Sequence, residues 1–580
     1  DWLIPPQAPL QVLAVRGLWY QYYGVDRALA RLGGAAVSDS WHVNSWETGV
    51  SNGLRYFPGT YDALMRHHLI ILCNINAAAM PPIQRKLLKD YVERGGALLF
   101  LGGNYAYDGQ YGATAFGDIT PVAFPAKPEL RHTADGAPMT AGKDAPAALR
   151  GLGWAATPRV YWYHALTPKP GAQVLLTAGE TPLLVTGAFG KGRVAVFAGS
   201  VMGDPPAGQT PLWAWADWPA VVAETITWLT APTRAPAPVD PAVTQQLTKA
   251  LLGPGVKKFA DVAPRLMKAA DCCRDDAGAA LLLRAVHALD DDPALEAVDA
   301  YAQAIRRYAG AEALAAARLL IESGLPHKVS LGLRVLGQCA PAARETLLTA
   351  LRTGEPPGGD DDDGGLGGLG GDLLGGGKMT TDPAYMAYAV RLGALEGLGN
   401  LGDAAAIPHL RRYRQQISRS VSNPADFPTV PTQEDELNLA ALLALVRCGD
   451  AAAAAPAVDA LMELYYVMVR NMTVVDLPQY ARKSYQAQQL IAKLWKTYPR
   501  VRSRDALLYR QLATVPPAVL PALAKRLAAE TPPRAALPAF AAFGRAFRGE
   551  DFTAPAEALD ALAGAKLPAL AELAQRLRTK

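Results

Sequence analysis

The sequence predicts a doubly wound α/β domain over residues 1–232, a Pro-rich linker at 233–241, and an all-α array of helical repeats over 242–580. Three observations carry that expectation. Short continuous apolar runs in the first half each lead into a segment with apolar residues at helical spacing, and Gly-Gly pairs punctuate these units. Beyond the linker the chain turns Ala/Leu-rich, with a phrase that recurs.

The first unit opens with the strand Leu10 to Val15, followed by a helix over Tyr22 to Leu32 that stops at Gly33-Gly34. The second is the strand His68 to Cys73, then a helix opened by Pro81-Pro82 with Ile83, Leu87, Leu88 and Tyr91 on one face, stopped by Gly95-Gly96. Ala97 to Leu101 is the next strand. Runs this apolar suit strands buried on both faces of a parallel sheet. Short strands are expected at Val174 to Leu176, Pro182 to Thr186 and Arg193 to Ala198, and a helix at Trp218 to Leu229 closes the domain.

Composition excludes several function classes. A chain of 580 residues suggests two to four packing units at about 150 residues each. Net charge is +4 from 57 basic and 53 acidic side chains, with no basic stripe, so nucleic acid is not an expected partner. The densest basic cluster, Arg411, Arg412 and Arg414, falls in a helical pattern and reads as a solvated face. Cys73, Cys272, Cys273, Cys339 and Cys448 lack metal-ligand spacing, as do His42, His67, His68 and His164, so no metal and no cofactor are expected. No run approaches the roughly 18 apolar residues of a membrane span. The opening Asp1 reads like a mature terminus after signal-peptide removal, so a periplasmic or extracellular location is expected, or a cytoplasmic one if Asp1 reflects truncation.

Several segments, in order, resemble the class I glutamine amidotransferase-like superfamily. They are Tyr61 to Leu64, Tyr91 to Gly103, Asp118-Ile119-Thr120-Pro121-Val122, and Gly190-Lys191-Gly192-Arg193-Val194. The branch it resembles occurs in large exported or membrane-attached bacterial proteins. The resemblance implies a flavodoxin-like sheet, and it implies a nucleophilic Cys on the turn after Ala97 to Leu101, activated by a His-x-Glu after the strand ending near Ala198. Here the turn carries Asn104, and the later segment reads Gly199-Ser200-Val201-Met202-Gly203-Asp204. An amide cannot form the thioester, so no catalytic residue is assigned and the domain is expected to be a pseudoenzyme. Cys73, with no Gly-bounded turn, reads as a core thiol.

The turn still collects groups at the carboxyl edge of the sheet, where ligands bind in such folds. Gly102, Gly103, Asn104, Tyr105, Tyr107, Asp108 and Tyr111 form this candidate ligand or interface site. Aromatic residues recur at Trp19, Tyr20, Tyr22, Tyr23, Trp41, Trp46, Tyr161, Trp162, Tyr163, Trp213, Trp215 and Trp218. Core packing, a protein interface and a carbohydrate-stacking face all remain open for them.

In the second half, Leu281 to Leu289, Leu331 to Gly337, Ala394 to Asp403 and Leu442 to Asp450 repeat one phrase, about 50 residues apart. A helix, a Gly-Asp turn and a helix carrying Pro408 resemble the HEAT family, which implies a solenoid. Further helices at Asp459 to Met472, Gln479 to Thr497 and Pro555 to Arg578 are expected to extend or cap it. An insertion at 354–378, with four consecutive Asp at 360–363 among glycines, reads as a loop held by a partner or an ion if it is ordered.

The function expected is a non-catalytic structural or protein-interaction subunit of a larger exported assembly, with protein partners or self-assembly. One rival is an amidase-like or sugar-processing enzyme using Asn104, Asp108, Ser200 and His164. The other is a carbohydrate-binding module.

Overall fold

The computed structural model describes residues 10–43, 67–125, 129–234, 275–293, 308–357, 382–417, 433–475, 504–531, 535–547 and 552–580, with single residues and short stretches between them. The insertion from 358 onward, the linker from 235, Tyr61 to Ala63, Trp46, Cys272 and the helix expected over 479–497 lie outside the described residues. The chain divides into two units, each discontinuous in sequence. One comprises Asp1–Ala237, Tyr465–Lys493 and Gln511–Lys580, and the other Pro238–Leu464 and Leu494–Arg510.

The first unit is built on a ten-stranded sheet. Its strands are β1 (Gln11–Arg16), β2 (Ala36–Val43), β3 (Gly53–Arg55), β4 (Leu69–Cys73) and β5 (Ala97–Leu101). After the short β6 (Val122–Ala123) come β7 (Leu130–Ala141), β8 (Arg159–His164), β9 (Thr167–Pro168), β10 (Gln173–Ala178), β11 (Thr181–Phe189) and β12 (Gly192–Phe197). The order is β3-β2-β1-β4-β5-β12-β11-β10-β7-β8, and β6 pairs with β9 separately. β2, β1, β4, β5 and β12 are mutually parallel. The remaining pairings in the large sheet are antiparallel.

Every residue of β4 and β5 is buried, as strands covered on both faces require. Helices α1 (Val25–Arg31), α2 (Pro82–Glu93), α3 (Ala115–Ile119), α4 (Ala147–Arg150) and α5 (Trp218–Arg234) supply the cover, with α1 packed on α5 and α2 on α3. Two sequence expectations need correction here. The helix expected from Tyr22 to Leu32 is a 3-10 turn at Tyr20–Tyr23, then Gly24 at φ 68°, then α1, because the left-handed glycine breaks the helical run. Ile83 is 62% exposed, since α2 buries Leu88, Tyr91 and Val92, and Ile83 sits about 140° around the helix from Leu88.

The second unit is helical. Its elements are α6 (Asp276–His287), α7 (Ala311–Glu322), α8 (Pro326–Cys339), α9 (Arg344–Thr353), α10 (Pro383–Leu401), α11 (Ile407–Gln416) and α12 (Gln433–Arg447). α6 packs on α7, α7 on α8, α8 on α10, and α10 on α12, while α9 lies against α10 and α11 against α12. The α8–α10 crossing is a backbone contact, for a Cβ on Gly337 would collide with the Gly397 carbonyl. Two turns repeat one design. α10 and α12 are followed by left-handed glycines, Gly402 and Gly449, and then by Asp403 and Asp450, whose carboxylates accept from the N–H groups of Ala405 (2.9 Å) and Ala452 (3.2 Å). Arg344 at the start of α9 pairs with Asp403 at 2.6 Å, and Arg411 on α11 makes a two-pronged pair with Asp450 at 2.8 and 2.9 Å. The carboxylate of Asp276 accepts from Gly310, Glu312 and Ala313, capping α7 from the preceding helix.

α13 (Ala454–Val475) and α14 (Arg504–Ala513) each run from one unit into the other. The chain ends in α15 (Leu520–Ala528), α16 (Ala536–Phe543), α17 (Ala556–Ala563) and α18 (Pro568–Arg578). These helices belong to the α/β unit, which departs from the expected boundary that placed all of 242–580 in one helical array. The helix expected over Pro555 to Arg578 is two helices, and α18 packs on α1 and α16 on β2. All eight residues of α16 are buried. α16 thus packs its apolar side chains against β2 from residues 536–543, about 500 positions further along the chain.

Candidate functional site

Register brings four loops to one edge of the sheet. Arg16 is opposite Cys73, Cys73 opposite Leu101, and Leu101 opposite Phe197. Gly17, Asn74, Gly102 and Ala198 therefore open their loops side by side at the carboxyl ends of parallel strands, the usual place for a site in such a sheet.

Asn74 ties these loops together. It is fully buried, with φ 51°, and its N–H donates to the Leu101 carbonyl at 2.9 Å. Its Nδ2 donates to Leu18 O at 3.3 Å and to Asn104 Oδ1 at 3.1 Å, while its Oδ1 accepts from Tyr105 N at 2.8 Å. Gly103, at φ 156°, closes over it, and a Cβ there would strike the Asn74 amide. Among the described residues the non-glycine positions with left-handed φ are Trp19, Asn74, Tyr107 and Thr157, and the first three lie in loops at this edge. Asn104 is exposed and is not one of them, so it lacks the sharp backbone that presents a nucleophile.

The other predicted residues are drawn into the same mesh. Asp108, half-buried, accepts from Ala77 N at 3.0 Å and from Gln110 N at 2.9 Å. Tyr107 donates to Phe197 O at 2.8 Å and Tyr111 to Ile75 O at 2.6 Å. Both rings are interior and meet edge to face at 5.3 Å, so they offer no open stacking platform. Tyr105 is half-buried, its ring 6.1 Å from that of His42. Tyr20, Tyr23, Tyr161, Trp215 and Trp218 are also buried, whereas Tyr22 is exposed.

Tyr23, which the sequence offered only as one of the recurring aromatics, joins the site: its hydroxyl donates to the Gly102 carbonyl and its phenol lies beside the Cys73 thiol and the Ser200 hydroxyl. Burial raises the Tyr23 phenol well above its ordinary value, and burial likewise pushes the Cys73 thiol up, against a lowering influence from the Arg16 guanidinium. His164 Nε2 lies 2.9 Å from Gly103 O. A carbonyl only accepts, so that nitrogen carries the proton, and burial lowers the imidazole pKa. No hydrogen bond joins Asp108, Ser200 and His164 to one another among the described residues, and Asp204 is exposed on its loop.

His67 bonds Leu64 O at 3.1 Å, and His68 Nδ1 accepts from Gln11 N at 2.9 Å. Among the described residues no group of three or more His, Cys, Asp or Glu is arranged to hold a metal, and no helix is long and apolar enough to cross a membrane.

No curated protein matches this chain. Among solved structures it is similar to the cytoplasmic protein STM1381 from Salmonella typhimurium LT2, with 18% identity and a TM-score of 0.30 over 38% of this chain and 99% of that one. It is also similar to the cytoplasmic protein STM3548 from Salmonella typhimurium (19% identity, TM-score 0.31, 38% and 99% of the two chains). A third similarity is to an exo-β-1,4-mannosidase, Op5Man5, from Opitutaceae bacterium strain TAV5 (17% identity, TM-score 0.22, 38% and 35%). Residues 53–231 match the family model GATase1_like, described as putative glutamine amidotransferase, so the α/β part of the chain carries a glutamine amidotransferase-like domain.

Proposed function

We propose that this protein is a non-catalytic structural or protein-interaction subunit of a larger assembly, in which a degenerate amidotransferase-like domain is joined to a HEAT-like solenoid. The observation that carries the reading is the engagement of the turn after β5. Asn104 bonds Asn74, the Gly103 carbonyl receives His164, and the Cys73 thiol and Ser200 hydroxyl are wholly buried. An acyl-transfer site needs an accessible nucleophile within reach of a base, and here the imidazole is turned onto a backbone oxygen.

The parallel strands support the finer fold reading. Taken in chain order, β1, β2, β4, β5 and β12 stand in the order 2-1-3-4-5, as in flavodoxin-like sheets. Consecutive helix packing and the repeated Gly-Asp turns support a HEAT-like solenoid, whose extended surface suits protein contacts.

The test combines chemistry with mass. Full-length protein incubated with glutamine is expected to release no ammonia above a protein-free blank, and native mass measurement in cell extract is expected to find the chain in a complex. Ammonia release abolished by a Cys73→Ser or Ser200→Ala change, or a solitary monomer at cellular concentration, would overturn the reading.

A further inference from the structure

The first helix of the chain is gripped from two sides. Toward the sheet, Asp26 on α1 lies 3.7 Å from the Arg16 guanidinium, and both residues are buried. Tyr23, just before the Gly24 that opens α1, donates to the Gly102 carbonyl, and its own carbonyl receives Trp218 Nε1 at 2.9 Å. On the far side, Arg27 and Arg31 stand one turn apart and converge on one carboxylate, Glu572 of α18. Arg27 NH2 is 2.6 Å and Arg27 Nε 2.7 Å from Glu572 Oε1, and Arg31 Nε is 3.5 Å from Oε2. The Glu572 side chain is only 15% exposed. Just past α1, the ring of Phe547 lies 2.6 Å from where a Cβ on Gly33 would stand, and Phe540 lies 3.3 Å from the same point on Gly34.

We infer that α16, Phe547 and α18 act as a strap that sets the position of α1 and, through Tyr23 and Asp26, the geometry of the Gly102–Ala106 turn. Every residue in this relay belongs to one unit, so the relay runs through a single packed body. The physical basis is charge. Without Glu572, two guanidiniums a turn apart repel each other on a partly desolvated surface, and α1 loses its outer restraint. The turn is linked to the residue before α1 by the Tyr23–Gly102 hydrogen bond, and α1 is tied by Asp26 to Arg16 of β1, whose following loop accepts from Asn74 at Leu18 O, so a shift of α1 by a fraction of an ångström strains the mesh around Asn74. The inference concerns the position of the turn and stands whether or not the turn does chemistry.

Backbone hydrogen exchange on the full chain tests it. In Glu572→Arg the amides of 25–31 and those of Gly102, Tyr105 and Ala106 are expected to exchange about tenfold faster, with amides in β11 unchanged as the control. The charge-swapped variant Arg27→Glu/Arg31→Glu/Glu572→Arg is expected to return both sets toward the parent rate. Glu572→Gln, which keeps the size and removes the charge, is expected to give a smaller acceleration of the same two sets, and it carries the test if Glu572→Arg does not fold. Acceleration confined to 25–31 and 568–578, equal acceleration of β11, or no recovery in the swapped variant would each overturn the proposal.

Discussion

At the residue scale, Asn74, which was not among the candidate site residues, is what joins the loops around Asn104. Its side chain makes three hydrogen bonds to two neighbouring loops from a left-handed, fully buried position. Asn tolerates that backbone better than other non-glycine residues, and its amide both donates and accepts. Asn74→Ala leaves the Tyr105 N–H and the Leu18 carbonyl without their partner and keeps the unfavourable φ, so denaturant titration is expected to show a loss of about 2–4 kcal/mol. Asn74→Asp keeps the acceptor for Tyr105 but buries a carboxylate against the Leu18 and Asn104 oxygens, and near neutral pH is expected to lose at least as much as Asn74→Ala. His164 sets a pH dependence. Its folded pKa is lowered, so the unfolded chain binds the proton more readily, and stability is lost as pH falls through the ordinary histidine range near 6.5. His164→Gln, which can still donate to Gly103, is expected to flatten that slope in thermal melts at pH 7.5 and 5.5. The run Gly102-Gly103-Asn104 drew attention because glycines punctuate sequence visibly. Asn74 gave a quieter signal, its place just after an apolar strand, and only strand register shows that it stands level with Gly102.

At the element scale, legibility followed burial. β4 and β5 read directly from sequence because both faces are covered, whereas β7 is mostly exposed or half-buried, with only Gly136 and Met139 buried, and bulges against β8 between His132 and Ala137. A half-wet, irregular strand leaves no continuous apolar run, so β7 was not foreseen; β8, mostly buried, was read only as an aromatic cluster at Tyr161-Trp162-Tyr163, and it is the strand that delivers His164 to the site. In the helical unit, the Gly-Asp phrase was visible and its carboxylate carries two roles, a cap and an ion pair. Asp450→Asn keeps an oxygen for Ala452 N and loses the charge facing Arg411, while Asp450→Ala loses both. Urea midpoints are therefore expected in the order parent, Asn, Ala, with the cap worth about 1 kcal/mol and the parent–Asn gap shrinking in high salt. Gly337→Ala probes the α8–α10 crossing. The obstructing atom is a backbone carbonyl on the opposing helix, which cannot rotate aside, so the helices must separate at a cost of about 1–3 kcal/mol.

At the scale of the whole molecule, a mixed α/β part comes first and many helices follow, but the compact units do not divide the chain at residue 242. An amphipathic helix such as α18 announces that it needs a partner surface without saying which one, and the all-apolar α16 announces only that it is buried, so both look like further repeats until their partners are seen. A chain ending at residue 510 keeps every strand of the sheet and uncovers β2 and α1. It is expected to aggregate or bind a hydrophobic dye at temperatures where the full chain does not, and light scattering during a thermal ramp would show the difference.

Pairing the first helix with the last has a consequence for biosynthesis. Ribosomes deliver roughly 5–20 residues per second, so about 25–100 s separate the appearance of Gly34 from that of Phe540, which packs beside it. During that interval the N-terminal sheet emerges with one flank uncovered, and vectorial folding from the amino end cannot finish it. A stop codon anywhere before Phe540 therefore damages a sheet whose strands were translated about 350 residues or more ahead of that position.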